Sequence, residues 1–230
     1  MTRAFALSLA IGAAFLAAGS PARAQQPAGR GRGAEPAAVR PASMFKEEWK
    51  QPPYTGTLND ENRRATQDAI TNPKLELKLY GTSSKDVGVY AHEGRMDLWN
   101  GVVKSPMAIM LRDRTSYADL SGLARLRAIV RTMGLHVIYP VVKLADGSYV
   151  AGSRGANTDG DFLEVEIAFG GMRWHKFDPA TCTTSAEVKN PDLTKVDEIG
   201  FADLAPGGGH GVSGAFNLST IELFAKAVPR

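Results

Sequence analysis

The 230-residue chain has a single cysteine, Cys182, so no intramolecular disulfide can form and a core must hold the fold. About 185 residues suffice for such a core without staples. Cys182 has no Cys or His at motif spacing and reads as a small, partly buried apolar residue. The four histidines, His92, His136, His175 and His210, are too scattered for a zinc signature. Long apolar runs are also scarce. The longest, Ala4 to Ala18, covers about 15 residues where ~20 are needed to span a bilayer, which predicts no integral membrane segment.

A surplus of charge is missing too. The formal net charge is +3, from 27 Lys and Arg against 24 Asp and Glu. Arg3 and Arg23 lie before residue 25, and Arg30, Arg32 and Arg40 face only Glu35 up to residue 40, so the remainder is close to neutral. A nucleic-acid partner needs a concentrated basic face, and this chain predicts none.

At the N-terminus, Arg3, the uncharged run that follows and Ala22-Arg23-Ala24 form the three parts of an export signal. Residues 1–24 are therefore expected to be a cleaved signal peptide, leaving a periplasmic or secreted protein. Residues 25–43, rich in Pro, Gly, Ala and Arg, read as a disordered leader. Residues 44–72 read as an extension over an edge of the fold, with a short helix across 59–70 capped by Asn59 or Asp60. The domain proper is placed at 73–230.

From there the period of hydrophobicity is two. Leu75, Leu77 and Leu79 alternate with Glu76, Lys78 and Tyr80; Leu126, Ala128 and Val130 alternate with Arg125, Arg127 and Arg131; Leu163, Val165 and Ile167 alternate with Glu164, Glu166 and Ala168. Further strands are expected at 86–92, 97–103, 106–112, 135–144, 148–153, 172–178, 194–203 and 218–227. Asp146-Gly147 and Gly170-Gly171 predict two-residue type I′ hairpins. Many short strands with no long helix predict an all-β antiparallel two-sheet sandwich.

Asp119-Leu120-Ser121-Gly122-Leu123 with Arg125 to Thr132 resembles the corner and following strand of galactose-binding-like jelly rolls, a superfamily that includes carbohydrate-binding modules. The stretch Pro140 to Tyr149 fits the same pattern, and Lys195 to Phe201 and Leu218 to Phe224 resemble its last two strands. The resemblance implies a jelly roll that binds a carbohydrate on a sheet face or at its loop ends, in such modules often beside a structural calcium ion.

Sugars present an apolar face fringed by hydroxyls, so their sites combine aromatic rings with planar polar groups. Tyr90, Trp99, Tyr139 and Trp174, with Arg125, Arg127, Arg131, Glu164, Glu166 and His175, are the candidates. Of these, Tyr90, Trp99, Arg127, Tyr139, Glu166, Trp174 and His175 form the expected ligand-binding set. The competing reading is a charge-paired, solvated sheet face with tryptophans in the core.

Glu164 and Glu166, two apart on a strand, share a face and provide the alternative of a sugar-cleaving enzyme. The E-x-D-x-E strand of laminarinase-type sandwich glycosidases is similar, but Ala168 stands where its third acid belongs. A third alternative is a structural or interaction domain without a small ligand. Asn157, Asp159 and Asp161 resemble the start of a calcium loop but lack its closing glutamate, Ala168 standing there. His92-Glu93 with Arg95 forms a further polar cluster, and Pro206 to Gly214 lacks the ending of a phosphate-binding loop. Neither the oligomeric state nor the ligand is encoded in a recognisable motif.

The export reading predicts that protein recovered outside the cytoplasm begins at Gln25. N-terminal sequencing or intact mass tests this, and a mature chain retaining Met1 contradicts it.

Overall fold

The structure is a computed structural model that describes residues 39–205 and 215–230, which belong to one compact unit. The expected signal peptide, most of the leader and the glycine-rich 206–214 stretch with His210 lie outside the described residues.

Fifteen strands are described: β1 (Ser43–Glu48), β2 (Leu75–Tyr80), β3 (Gly88–His92), β4 (Arg95–Trp99), β5 (Met107–Asp113), β6 (Ser116–Asp119), β7 (Arg125–Thr132), β8 (Ile138–Leu144), β9 (Tyr149–Gly152), β10 (Leu163–Ala168), β11 (Trp174–Asp178), β12 (Thr183–Val188), β13 (Val196–Asp203), β14 (Phe216–Phe224) and β15 (Lys226–Pro229). They pair antiparallel in two sheets. One has six strands in the order β10-β7-β14-β4-β3, with β1 also on β14. The other has nine, ordered β12-β11-β9-β8-β13-β5-β2, with β6 on β13 and β15 on β6. The expected all-β antiparallel sandwich is therefore the fold.

Alternation explains why the sheets pack. Leu126, Ala128 and Val130 of β7 and Phe216, Leu218, Ile221 and Leu223 of β14 turn inward, where they join Ile109 and Leu111 of β5 and Ile199 and Phe201 of β13 in one buried cluster. Burying each large aliphatic side chain contributes about 1.5–3 kcal/mol. The leucines of β2 point inward as the period of two predicts, in register with Asp113, Leu111 and Ile109 of β5.

At Gly200 in β13, an added Cβ would lie 2.0 Å from the Ile109 carbonyl oxygen, so only glycine allows this approach between β13 and β5. A smaller cluster, with Met110, Val141, Phe177 and Cys182, forms on the other side of the nine-stranded sheet. Cys182 is buried, and that burial, helped by Asp178, pushes its thiol up to about 12.

Several expectations need correction. The helix across 59–70 shrinks to a single 3-10 turn, Gln67–Ala69. The Asn59 carboxamide accepts from the Glu61 and Asn62 amides, which makes a local turn, and the Ala65 amide donates to Val87 O at 2.8 Å, drawing the chain into a bridge with β3 before a helix can propagate. Ser43 and the first part of the extension form β1, an edge strand on β14.

The Asp146-Gly147 hairpin joins β8 to β9, but only Gly147 has a positive φ, 88°, so the turn is not type I′. Leu144 N donates to Ser148 O at 2.8 Å and Gly147 N to Leu144 O at 3.0 Å, the pattern of a turn followed by a glycine bulge. Gly170-Gly171 makes no hairpin at all. It carries the chain from β10 in one sheet to β11 in the other, and of its two glycines only Gly171 has a positive φ. The bulky buried pair Phe169 and Trp174, stacked at 6.3 Å between ring centroids, sits at the crossing and anchors it in the core.

Glu47 ties β1 to the segment before β2. Its fully buried carboxylate accepts from Thr71 N at 2.6 Å, Thr71 Oγ1 at 2.8 Å and Asn72 N at 3.0 Å. Burial raises its pKa, and the three donors offset only part of that rise. A carboxyl with a raised folded-state pKa contributes stability that is complete below its unfolded value and fades as pH climbs through the folded one. Wild type should therefore gain stability relative to Glu47→Gln as pH falls from 7 toward the ordinary glutamate range. Urea unfolding of both proteins at several pH values tests this, and a gap that narrows on acidification contradicts it.

Candidate functional site

The same alternation that fills the core sets the opposite row of side chains outward. On the outer face of the six-stranded sheet, register places Glu166 of β10, Arg127 of β7, Glu222 of β14 and Lys46 of β1 side by side. The parallel row at the far end runs Arg131, Asn217, Trp99 and Gly88. Tyr90 lies opposite Asp97, and His92 opposite Arg95.

Two regions differ in character. Around β10 the face is a lattice of ion pairs: Arg125 to Glu166 at 2.9 Å, and Arg127 to Glu164 and Glu166 at 3.4 Å each. Both guanidinium groups also lie over the Phe224 ring, at 4.2 and 4.8 Å. The Arg127 pairs, open to solvent, are worth about 0.2–1 kcal/mol apiece and mainly order the surface, whereas the Arg125 side chain is mostly covered.

Around β3 and β4 the face is aromatic and its polar groups are linked in series. Arg131 Nε donates to Asn217 Oδ1 at 3.1 Å, Asn217 Nδ2 donates to Asp97 Oδ1 at 2.7 Å, and His92 Nδ1 lies 2.8 Å from Asp97 Oδ2. Asn217 and Asp97 are fully buried although they stand on the outer side of the sheet. Burial raises the Asp97 pKa, while the bonds from Asn217 and His92 oppose the rise. Rings frame this series. Tyr90 meets Trp99 edge-on at 4.8 Å, His92 lies 6.3 Å from Trp99, and Arg131 sits over Phe162 at 4.7 Å. The Tyr90 hydroxyl donates to Asp60 at 2.8 Å, and burial raises its pKa to about 12, so it stays protonated.

The β3–β4 turn leans across this face. Glu93 reaches Arg131 of β7 at 3.3 Å, and Arg95 lies 5.7 Å from the Phe162 ring beside β10. A notch opens beneath the turn because β14 pairs with β4 only through Asn217 and Leu218, then with β1 from Thr220 onward, with a register shift at Ser219. The notch holds a pocket of about 330 Å³ lined by Glu48, Arg95, Ile129, Ser219 and Thr220 among others. That lies within the ~300–1,000 Å³ typical of small-ligand sites. A larger cleft of about 710 Å³ lies at the Gly170-Gly171 crossover, over Phe169 and Trp174, which are almost wholly buried.

Of the expected set, Tyr90, Trp99, Arg127 and Glu166 stand together on this face. Tyr139 and His175 belong to the nine-stranded sheet, on its outer side, and Trp174 is a core residue. The structure therefore does not unite the seven. Glu164 and Glu166 do share a face with the arginines, as the strand period implied. Their setting is an exposed edge strand against guanidinium groups, whereas a glycosidase's general acid keeps its proton in an apolar cleft.

Asn157 is engaged in holding its own turn: Nδ2 donates to His136 O at 2.7 Å and Oδ1 accepts from Asp159 N at 3.1 Å. No group of three or more His, Cys, Asp or Glu among the described residues is placed to hold a metal. No described helix is long and apolar enough to cross a membrane. Asp97, Asn217 and Phe162 were not singled out from the sequence. For Asp97 and Phe162 the available signal was two-residue spacing, since 97 shares a face with Trp99 and 162 with Glu164; Asn217 had none, its place being set by pairing with β4 and β7.

The class of protein is thus a two-sheet antiparallel sandwich with an aromatic and charged open face. No family model and no curated protein matches the chain. Among solved structures, it is similar to PfGH50B, at 14% identity and a TM-score of 0.40, over 66% of this chain and 22% of that one. It is also similar to the family 11 carbohydrate-binding module of a cellulosomal cellulase of Clostridium thermocellum, at 12% identity and a TM-score of 0.38, over 67% of this chain and 85% of the module. The Clostridium thermocellum family 11 module in complex with a β-1,3-1,4-mixed-linked tetrasaccharide aligns at 12% identity and a TM-score of 0.38, over 80% of this chain and 98% of that one. The chain thus spans about a fifth of the length of the first. The sandwich itself is established by the pairing of its own strands.

The series from Arg131 to His92 predicts that Asn217→Ala, which strips both Arg131 Nε and Asp97 Oδ1 of a partner, destabilises the fold by about 2–4 kcal/mol. Chemical denaturation measures it; a loss below about 1 kcal/mol contradicts the linked arrangement.

Proposed function

We propose that this chain is an exported, non-catalytic carbohydrate-binding protein whose ligand lies on the outer face of the six-stranded sheet, at β3, β4 and β14. One observation carries the reading: a polar series, Arg131, Asn217, Asp97 and His92, buried at its two central members, is set among the rings of Phe162, Trp99 and Tyr90 on an open face. Rings offer a surface for the apolar side of a sugar, and planar polar groups meet its hydroxyls. Because Asp97 and Asn217 hold one another in place, the exposed members of the series are oriented before a ligand arrives. Preorganisation of this kind reduces the entropy lost on binding.

The ion-paired surroundings of Glu164 and Glu166 support binding over hydrolysis, and the N-terminal residues 1–24 support export. The core position of Trp174 argues against a platform at the Gly170-Gly171 crossover.

Isothermal titration against a panel of soluble polysaccharides tests the proposal. Binding is expected, and Trp99→Ala should weaken it about tenfold or more, as loss of a ring contact worth about 1.5 kcal/mol requires. Absence of binding across the panel, or affinity unchanged in a folded Trp99→Ala protein, contradicts it.

A further inference from the structure

Resting on the reading of this face as a sugar site, we infer that the pocket beneath the β3–β4 turn receives an acidic sugar unit, whose carboxylate or sulfate group is held by Arg95. Among the arginines of β4 and β7 on this face, ion pairing and position in the pocket lining single out Arg95. Arg125, Arg127 and Arg131 each meet a carboxylate, at 2.9, 3.4 and 3.3 Å. Arg95 lines the pocket, is exposed, and pairs with no carboxylate among the described residues. The other charged residue of the lining, Glu48, is engaged by Lys46 Nζ at 2.5 Å.

Arg95 and Arg131 also share one aromatic partner, with guanidinium carbons 5.7 and 4.7 Å from the centre of the Phe162 ring. Two like charges on one ring repel, and Glu93 answers only one of them. An anion entering the pocket supplies the missing counter-charge. The remaining acid nearby, Asp97, is shielded, its oxygens taken by Asn217 and His92.

The rest of the lining suits a sugar rather than a bare ion. Ile129 is half-buried and apolar on the floor, while Ser219 and Thr220 bring hydroxyls where β14 shifts register. Ser219 Oγ donates to Met96 O at 3.0 Å, so its own proton is engaged and it can meet a sugar hydroxyl only as an acceptor. A guanidinium binds carboxylate and sulfate alike through paired N–H donors, so the shared chemistry is a planar or tetrahedral oxyanion on a pyranose ring.

The test is titration of wild type, Arg95→Gln and Arg95→Lys with polygalacturonate, κ-carrageenan, neutral mixed-linkage β-glucan and inorganic polyphosphate. Wild type should bind one of the two acidic glycans most tightly, and which one names the oxyanion. Arg95→Gln should weaken that binding tenfold or more, Arg95→Lys should retain part of it, and β-glucan binding should be unchanged. Equal affinity for β-glucan, indifference to Arg95→Gln, or polyphosphate bound as tightly as the acidic glycans overturns the inference. If Trp99→Ala still weakens glycan binding tenfold or more in those cases, the sugar site itself stands; no binding to any glycan defeats both.

Discussion

The central constraint is the packing of β7 and β14 as neighbours in the middle of one sheet, facing β5 and β13 in the other. Every second side chain of these strands must enter the space between the sheets, and none there can be charged without a partner. The arginines of β7 are thereby expelled to the outer face in a row, and the residues paired with them, Glu166, Glu222 and Asn217, follow by register. A slip of one residue would reverse both faces at once. The site is thus a consequence of the core.

β14 adds the second condition. It gives one edge to β7 and divides the other between β4 and β1, with the register shift at Ser219 between them. Two strands meeting one strand end to end leave a gap, and the β3–β4 turn leans over it. Pocket and polar series are both products of that division. Trp49 anchors it from below, donating its indole N–H to Leu218 O at 2.6 Å.

Strand positions were legible wherever alternation was clean. β2, β7 and β10 fall within a residue or two of their expected limits, and the leucines of β2 and β7 face as expected. β1, β6, β12 and β15 were not legible. β1 pairs with β14, and β6 with β13 and β15, all far away in sequence, while β12 is exposed along most of its length, so no hydrophobic period marks it. Gly170-Gly171 misled because two glycines permit a tight turn but do not say whether the chain returns to the same sheet. The large rings on either side, Phe169 and Trp174, decide for the opposite sheet. Half of the candidate face was readable for a similar reason. Tyr90, Trp99, Arg127 and Glu166 lie on strands of one sheet, but which strands share a sheet depends on topology, and this is why Tyr139, Trp174 and His175 fell away. Asp97 and Asn217 come from strands more than a hundred residues apart in the chain, and only their pairing reveals the link.

The chain has three tryptophans, and each occupies a distinct setting: Trp99 on the candidate face, Trp49 beneath the notch and Trp174 under the crossover cleft. Proton–nitrogen correlation spectra recorded while a bound glycan is titrated in therefore report directly on where it sits. Large shifts are expected in the Trp99 indole, the Asn217 carboxamide and the Arg131 Nε signals, with Trp174 unmoved. Shifts centred on Trp174 and the 187–194 loop, with Trp99 unmoved, would contradict it.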